Sequence, residues 1–263
     1  MKKIIIVGAS SGIGHRVAED FLEMGFNVGL AARSEAPLKA LKEKYPATAE
    51  YEVIDVTARD SVNRLFKLIH RMGGIDTILV ASGVGFTNPE LKLNHEINTL
   101  ETNVVGFARM VSAAYRYFRD YEGAGSGQIA AITSVAGTKG IGVAASYSAS
   151  KRFQQTYLEA LEQLAHKQQV DVAFTDIRPG FVNTPILSQS KSYPMEMDVE
   201  YAAKLIEAAI LKRKRVATVD WRWACVTALW RLIPSCLWTR MDVDMGKSVS
   251  SNAEPLDLQE VKL

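Results

Sequence analysis

Tyr147 and Lys151 lie four residues apart in Ser146-Tyr147-Ser148-Ala149-Ser150-Lys151, a stretch that reads as helix. Residues at i and i+4 share a helix face, so a phenol and an ammonium would open on the same space. A free tyrosine titrates near pKa ~10 and donates a proton poorly at neutral pH. A nearby cation favours the phenolate and is expected to draw that pKa towards the working range. The same spacing also arises on ordinary solvated helices, so its chemistry depends on the groups brought around it.

A second constellation opens the chain. Lys3–Val7 reads as a buried strand, and Gly8-Ala9-Ser10-Ser11-Gly12-Ile13-Gly14 follows, leading straight into a helix. Glycines at Gly8, Gly12 and Gly14 allow close backbone approach, and the helix start offers free N–H groups to a pyrophosphate. The spacing is G-x-x-x-G-x-G rather than G-x-G-x-x-G. A tight turn without ligand is the competing reading, and Ser10 and Ser11 either contact phosphate or cap the helix. The second strand ends Ala31-Ala32-Arg33-Ser34, with an arginine where an acid would bind the ribose of NAD. Arginine accommodates the 2′-phosphate of NADP, so NADP(H) is the expected cofactor. Asp55, with Val56 beside it, closes the third strand and is expected either to meet adenine or to cap a helix.

Elements must position these groups. Strand-like runs recur at Lys3–Val7, Asn27–Ala31, Glu50–Ile54, Thr77–Val80, Gln128–Thr133, Asp171–Asp176 and Arg215–Val219. Helix-like stretches fall between them at Gly12–Met24, Pro37–Lys44, Arg59–Arg71, Asn98–Tyr117, Tyr147–Lys167 and Val199–Leu211. Such alternation predicts an α/β fold: a Rossmann-type doubly wound parallel sheet in three layers, binding its ligand at the carboxyl ends of the strands.

In this order the motifs resemble the short-chain dehydrogenase/reductase family, in its single-domain branch, from about Lys3 to Leu211. The resemblance implies that Asn103, in Glu101-Thr102-Asn103-Val104-Val105-Gly106, is the active-site asparagine, and that Ser134, in Thr133-Ser134-Val135, is the catalytic serine. Tyr147 and Lys151 match the catalytic pair. Arg178-Pro179-Gly180-Phe181-Val182-Asn183-Thr184 resembles the loop over the nicotinamide, which implies cofactor contacts from Pro179, Gly180, Val182 and Thr184. Two departures stand out. Val7 occupies a usual threonine position. Val80-Ala81-Ser82-Gly83 keeps the glycine of a usual Asn-Asn-Ala-Gly block but neither asparagine, so Gly83 still allows close approach to the ribose while the asparagine bonding is lost.

The resemblance further implies hydride transfer between NADP(H) and a carbonyl carbon. Tyr147 would exchange a proton with the substrate oxygen, and Lys151 would lower the tyrosine pKa and bond the cofactor ribose. Ser134 would polarise the oxygen, and Asn103 would hold a water leading from Lys151 to solvent. A non-catalytic NADP-binding redox sensor is the alternative, disfavoured because a sensor needs no proton donor. An epimerase or dehydratase of the longer branch is disfavoured by the glycine spacing and by the lack of a substantial substrate domain. The segment after Thr184 is expected to form a lid over the substrate, in which Ile186, Leu187, Tyr193, Met195 and Met197 either line an apolar pocket or pack the lid itself, and a homodimer or homotetramer is expected from the resemblance.

The sequence has 263 residues, 48% hydrophobic and 23% charged, with net charge +2. That frame suits one large domain and excludes nucleic acid as an obvious partner. Cys225 and Cys236 lack metal-ligand spacing, so no metal is expected, and a reduced cytoplasmic setting is the default. The expected division is a domain over residues 1–220 and a basic, aromatic extension over residues 221–263. From Lys212 to Arg240 the chain carries seven basic residues and one acid, and all four tryptophans: Trp221, Trp223, Trp230 and Trp238. Such a segment packs on the lid or a neighbouring subunit, or lies against the inner face of a membrane as a peripheral contact. Residues from Asp242 onwards are polar and expected to fray.

Overall fold

Apolar runs without polar alternation have to be covered on both faces, and parallel pairing between helices satisfies that demand. A computed structural model describes residues 2–121, 126–185, 187, 191–243 and 247–248. Its main sheet has seven strands: β1 (Lys3–Val7), β2 (Asn27–Ala32), β3 (Ala49–Val53), β4 (Thr77–Val80), β5 (Gly127–Ile132), β6 (Val172–Pro179) and β7 (Val216–Val219). They are hydrogen-bonded in the order β3-β2-β1-β4-β5-β6-β7, all parallel. The order reverses between β1 and β4, which opens a crevice at their carboxyl ends.

The helices are α1 (Gly12–Glu23), α2 (Glu35–Lys44), α3 (Ser61–Arg71), α4 (Leu93–Leu100), α5 (Phe107–Asp120), α6 (Ala145–Gln168), α7 (Val199–Leu211), α8 (Trp221–Leu232) and α9 (Ser235–Trp238). One core joins the sheet to α1, α2 and α7 through Val17, Phe21, Leu38 and Ile206. The other joins it to α3, α5 and α6 through Leu65, Leu68, Met110 and Leu158. This is the predicted three-layer Rossmann-type arrangement.

The helix expected over Asn98–Tyr117 is different. It begins at Leu93, passes through a π turn at Glu101–Gly106 and resumes as α5. Thr102, Asn103, Val104 and Val105 are weak helix formers, and Asn103 spends its side chain on a neighbouring loop. Gly106 is needed there because a Cβ would fall 2.6 Å from Val56 Cγ2.

α1 meets α7 through two buried carboxyl groups, Asp20 and Glu207. Arg16 pairs with Asp20 across one turn of α1. Burial raises the Glu207 pKa to about 8, and the neighbouring Asp20 adds to the rise. A raised carboxyl pKa stabilises the folded chain fully below the unfolded value of 4.5, and that contribution is lost as pH rises through about 8. The melting temperature should thus fall more between pH 5 and pH 9 in the parent than in Glu207→Gln. The expected difference is several degrees, at about 2–4 °C per kcal/mol for a domain of this size. Equal falls in both proteins would remove the assignment.

Candidate active site

The carboxyl ends of β1, β2, β4, β5 and β6 surround one cleft of about 340 Å³, within the usual range for small-molecule sites. Gly8, Ser10, Ser11, Gly12, Ile13 and Gly14 line it at one end, and Arg33, Asp55 and Val56 lie beside them. Gly83, Ser134, Tyr147, Lys151, Pro179, Gly180, Val182 and Thr184 line the remainder. Of the expected catalytic and cofactor-binding residues, Ser34 and Asn103 do not line the cleft. Ser34 is the exposed N-cap of α2, and Asn103 is buried behind the wall.

The glycine turn is built for backbone proximity. Gly8 has φ +101° and Gly12 φ +54°, both in the region that favours glycine. Ser11 is the N-cap of α1 but makes no capping bond with its side chain. The first-turn N–H groups of α1 are therefore available at the cleft. Arg33 is exposed at the cleft edge. Asp55 is not a helix cap: Asp60 begins α3, while Asp55 Oδ1 accepts from Thr57 N at 2.9 Å and Thr57 Oγ1 at 2.7 Å. The buried hydroxyls of Ser82 and Thr102 also line the cleft, and neither has a hydrogen-bond partner. Free helix N–H groups, a positive-φ glycine turn, unsatisfied hydroxyls and an arginine together fit a phosphorylated dinucleotide.

The reactive end is held by α6 and the end of β5. Ser134 starts a 3₁₀ turn, its Oγ accepting from Ala136 N at 3.1 Å. Ser134 Oγ also donates to Pro179 O at 3.4 Å, and its hydroxyl stands beside the Tyr147 phenol. Lys151 Nζ lies 5.7 Å from the centre of the Tyr147 ring and donates to Ile132 O at 3.0 Å. The expectation that lysine lowers the tyrosine pKa is reversed here. Burial raises the Tyr147 pKa, with the Ser134 hydroxyl pulling it down, and burial lowers that of Lys151 to about 8 against the charge of Asp176. Packing around these groups disfavours charge more than their mutual interaction restores it.

Asn103 ties down the loop after β4. Its Oδ1 accepts from Val84 N at 2.9 Å, and its Nδ2 donates to Val84 O at 2.8 Å and Ser150 Oγ at 3.1 Å. Asn103 was expected to hold a water leading from Lys151 to solvent; here the side-chain amide of Gln154 spans Lys151 Nζ and the Asn103 main-chain oxygen. Sequence reasoning missed Gln154 because a polar residue three positions after Lys151 carries no motif of its own. It also missed Gln155, which donates to Ser134 O at 2.8 Å and fixes the 3₁₀ turn.

The end of the cleft beyond Tyr147 is apolar and aromatic. Phe86, Ile141, Phe181, Leu187, Tyr193, Trp223 and Trp230 wall it, while Ile186 of the expected lid lies outside the described residues. Met195 and Met197 pack into the core beneath the lid rather than lining the cleft. Trp223, only 3% exposed, meets Phe181 edge-on at 5.6 Å and Trp230 at 6.2 Å. A Cβ on Gly180 would fall 2.1 Å from Trp223 Nε1, so this glycine is required by the tryptophan against it. Trp238 Nε1 donates to Gly140 O at 2.7 Å, and Lys139 Nζ donates to Ile233 O at 2.8 Å. The two bonds staple the C-terminal segment to the loop that follows Ser134. Sequence reasoning saw the tryptophans but not that Trp223, Trp230 and Trp238 turn inwards while Trp221, Leu229 and Leu232 face out. Among the described residues no helix is long and apolar enough to cross a membrane, and no cluster of metal ligands is present.

Comparison with known proteins points the same way. Residues 2–194 match the family model described as short chain dehydrogenase. An uncharacterized oxidoreductase of Mycobacterium tuberculosis is 33% identical over 254 residues, covering 91% of this chain and 96% of that protein. The fold resembles ElxO with NADP bound (TM-score 0.71, 20% identity, 85% of this chain and 99% of that one). It also resembles the alcohol dehydrogenase of the archaeon Thermococcus sibiricus complexed with 5-hydroxy-NADP (TM-score 0.70, 24% identity, 83% and 94%).

Proposed function

Since this chain belongs to the short-chain dehydrogenase family of oxidoreductases, we propose that it is an NADP(H)-dependent reductase acting on the carbonyl group of an apolar ketone or aldehyde. The observation that carries this reading is the meeting of Ser134, Tyr147 and Lys151 where the glycine-lined and aromatic halves of the cleft join. Bound in the glycine-lined half, NADP(H) supplies or accepts the hydride. Gly8 to Gly14 and Thr184 would hold its phosphates and carboxamide, and Arg33 the ribose phosphate. Ser134 and Tyr147 would both bond the substrate oxygen. Burial keeps Tyr147 a neutral phenol, the form that gives up a proton in reduction. Lys151 lies close enough to stabilise the charge that proton transfer leaves behind. The aromatic wall would exclude water and set a preference for apolar substrates.

The test is loss of NADPH absorbance across a panel of ketones and aldehydes, repeated with NADH. The expected outcome is turnover of apolar, aromatic carbonyl compounds, with kcat/KM for NADPH at least about 10-fold above NADH, since one lost charge-assisted contact is worth that much. Tight NADPH binding without turnover of any carbonyl compound would favour the redox-sensing alternative, and a preference for NADH would remove the role of Arg33.

The proposal treats α8 and α9 as a wall of the substrate site. Their outward face (Trp221, Leu229, Leu232) and the flanking basic residues support a contact with a partner subunit in a homodimer or homotetramer, or with a membrane surface. Truncation before Trp221 would strip buried Trp223 from the cleft, so vesicle binding is better tested with Leu229→Ser/Leu232→Ser. Flotation of the parent with anionic vesicles, lost in that variant, would support the membrane contact; no flotation of the parent would exclude it.

A further inference from the structure

Gln154 lies one helical turn after Lys151 on α6 and is fully buried. Its Oε1 accepts from Lys151 Nζ at 3.1 Å, and its Nε2 donates to the main-chain oxygen of Asn103 at 2.9 Å. The orientation of this amide follows from its partners: an ammonium offers only donors and a carbonyl only acceptors, so the oxygen must face Lys151 and the nitrogen must face Asn103. No solvent competes for either bond.

A lysine ammonium has three N–H groups. One of those on Lys151 goes to Ile132 O and one to Gln154. The third is left for the cleft, where a Cβ on Gly83 would sit 3.5 Å from Nζ. The direction of the working N–H is therefore set by the other two. Ile132 O belongs to the sheet and cannot adjust, whereas Gln154 is held only by its bond to Asn103, in the π turn. The π turn, which looks like a defect in the helix before α5, presents the carbonyl that anchors this amide.

We propose that Gln154 is a positioning residue of the reaction: anchored on the Asn103 carbonyl, it holds the Lys151 ammonium charged and aimed at the cleft. It touches neither substrate nor cofactor and acts only through Lys151. An amide neither gains nor loses a proton near neutral pH, so the Gln154 bridge does not carry protons from Lys151 to Asn103. The other groups facing Lys151 are Tyr147 on the same helix and Asp176 on β6, which is bonded to Thr133 and paired with Arg178. Asp176 is the one anion among them, and it favours the charged lysine. Burial works against that charge, so the loss of one acceptor oxygen shifts Lys151 further towards the neutral amine.

The inference rests on the reductase reading for its kinetic part but not for its titration part. Two variants separate its elements. Gln154→Leu keeps the volume and removes both bonds; Gln154→Glu keeps an acceptor, now charged, for Lys151. In the protein without added cofactor, NMR titration of isotope-labelled lysine side chains, with Lys151 assigned by its absence in Lys151→Met, should show a lower midpoint in Gln154→Leu and a higher one in Gln154→Glu. In the enzyme with NADPH, Gln154→Leu should lower kcat about 10- to 100-fold, the range for losing a hydrogen bond to a charged group. KM for the carbonyl compound should change little, and the alkaline limb of the kcat profile should move to lower pH. Gln154→Glu should restore part of kcat and move that limb upwards. An unmoved Lys151 midpoint in Gln154→Leu overturns the proposal, whatever the activity. Reduced kcat with an unchanged pH profile overturns it too, by showing only a packing role. A parent inactive on every carbonyl compound refutes the reductase reading, and the titration still decides whether Gln154 holds Lys151.

Discussion

Tyr147→Phe is expected to lower kcat by about 10³-fold or more, within reach of the contribution of a positioned general acid plus the oxygen contact it makes. The reason is the lack of a substitute. Ser134 is the other hydroxyl at the reactive end, and a serine hydroxyl is far too weak an acid to replace a phenol. Lys151 is turned towards Ile132 and Gln154 rather than standing in the phenol's place. The substitution leaves the packing intact, because the ring contacts Gly85 (where a Cβ would lie 2.9 Å from its edge) and the phenylalanine ring keeps that contact. NADPH affinity, read by fluorescence titration, should therefore stay within about twofold, as expected when no charge-assisted contact is lost. A variant with near-parental turnover would overturn the assignment of Tyr147. Equal loss of turnover and NADPH binding would instead indicate that the cleft had collapsed.

Gly8→Ala is the second large effect, and it acts through the backbone. Gly8 has φ +101°, which costs an L-residue about 1–3 kcal/mol. Its added Cβ would also lie 2.6 Å from Ser82 N and 2.8 Å from the Ala81 carbonyl carbon. Those are backbone atoms of the segment after β4, and they cannot rotate away. Overpacking of this kind adds about 1–3 kcal/mol. Gly8 N is meanwhile bonded to Ala31 O at 2.7 Å, so the turn cannot move without breaking the end of β2. The expected outcome is a melting temperature lower by about 5–15 °C, at roughly 2–4 °C per kcal/mol. NADPH affinity should fall as well, because the displaced Ser82 lines the same cleft. A melt within about 2 °C of the parent, with unchanged affinity, would contradict the strain argument.

The strands were legible because a strand buried on both faces has to be written as a short apolar run, and Ile4 to Val7 or Ile78 to Val80 contain little else. The glycine turn was legible because its conformations admit few other residues. Tyr147 and Lys151 were legible as a pair because helical spacing is local and fixed. The helix around Asn103 was less so. Its π turn depends on what Asn103 and Gly106 meet, Val84 in one case and Val56 in the other, and both partners are distant in sequence. For Asp55 the sequence left an adenine contact and a helix cap both open, and the cap falls away because Asp55 closes its own turn through Thr57, two residues on, before the helix starts.

Side-chain chemistry at the site shows the same divide. Proximity of Tyr147 and Lys151 on α6 implied a lowered tyrosine pKa, yet the surrounding packing raises it and lowers that of the lysine. Desolvation is a sum over all neighbours, and no spacing within one helix encodes it. The tryptophans between Trp221 and Trp238 likewise allowed packing on the domain or contact with a membrane, whereas the fold turns Trp223 and Trp230 into the cleft wall, packs Trp238 against Trp230 and leaves Trp221 outside.

Residue order therefore dictated the α/β alternation, the glycine turn and the pairing of Tyr147 with Lys151, because each arises from contacts within one strand, turn or helix. Which groups carry charge, what anchors Lys151, and what closes the cleft around Tyr147 were decided only when β5, the π turn and α8 came together in space. Burial and hydrogen bonding between elements distant in the chain exist only in the folded protein.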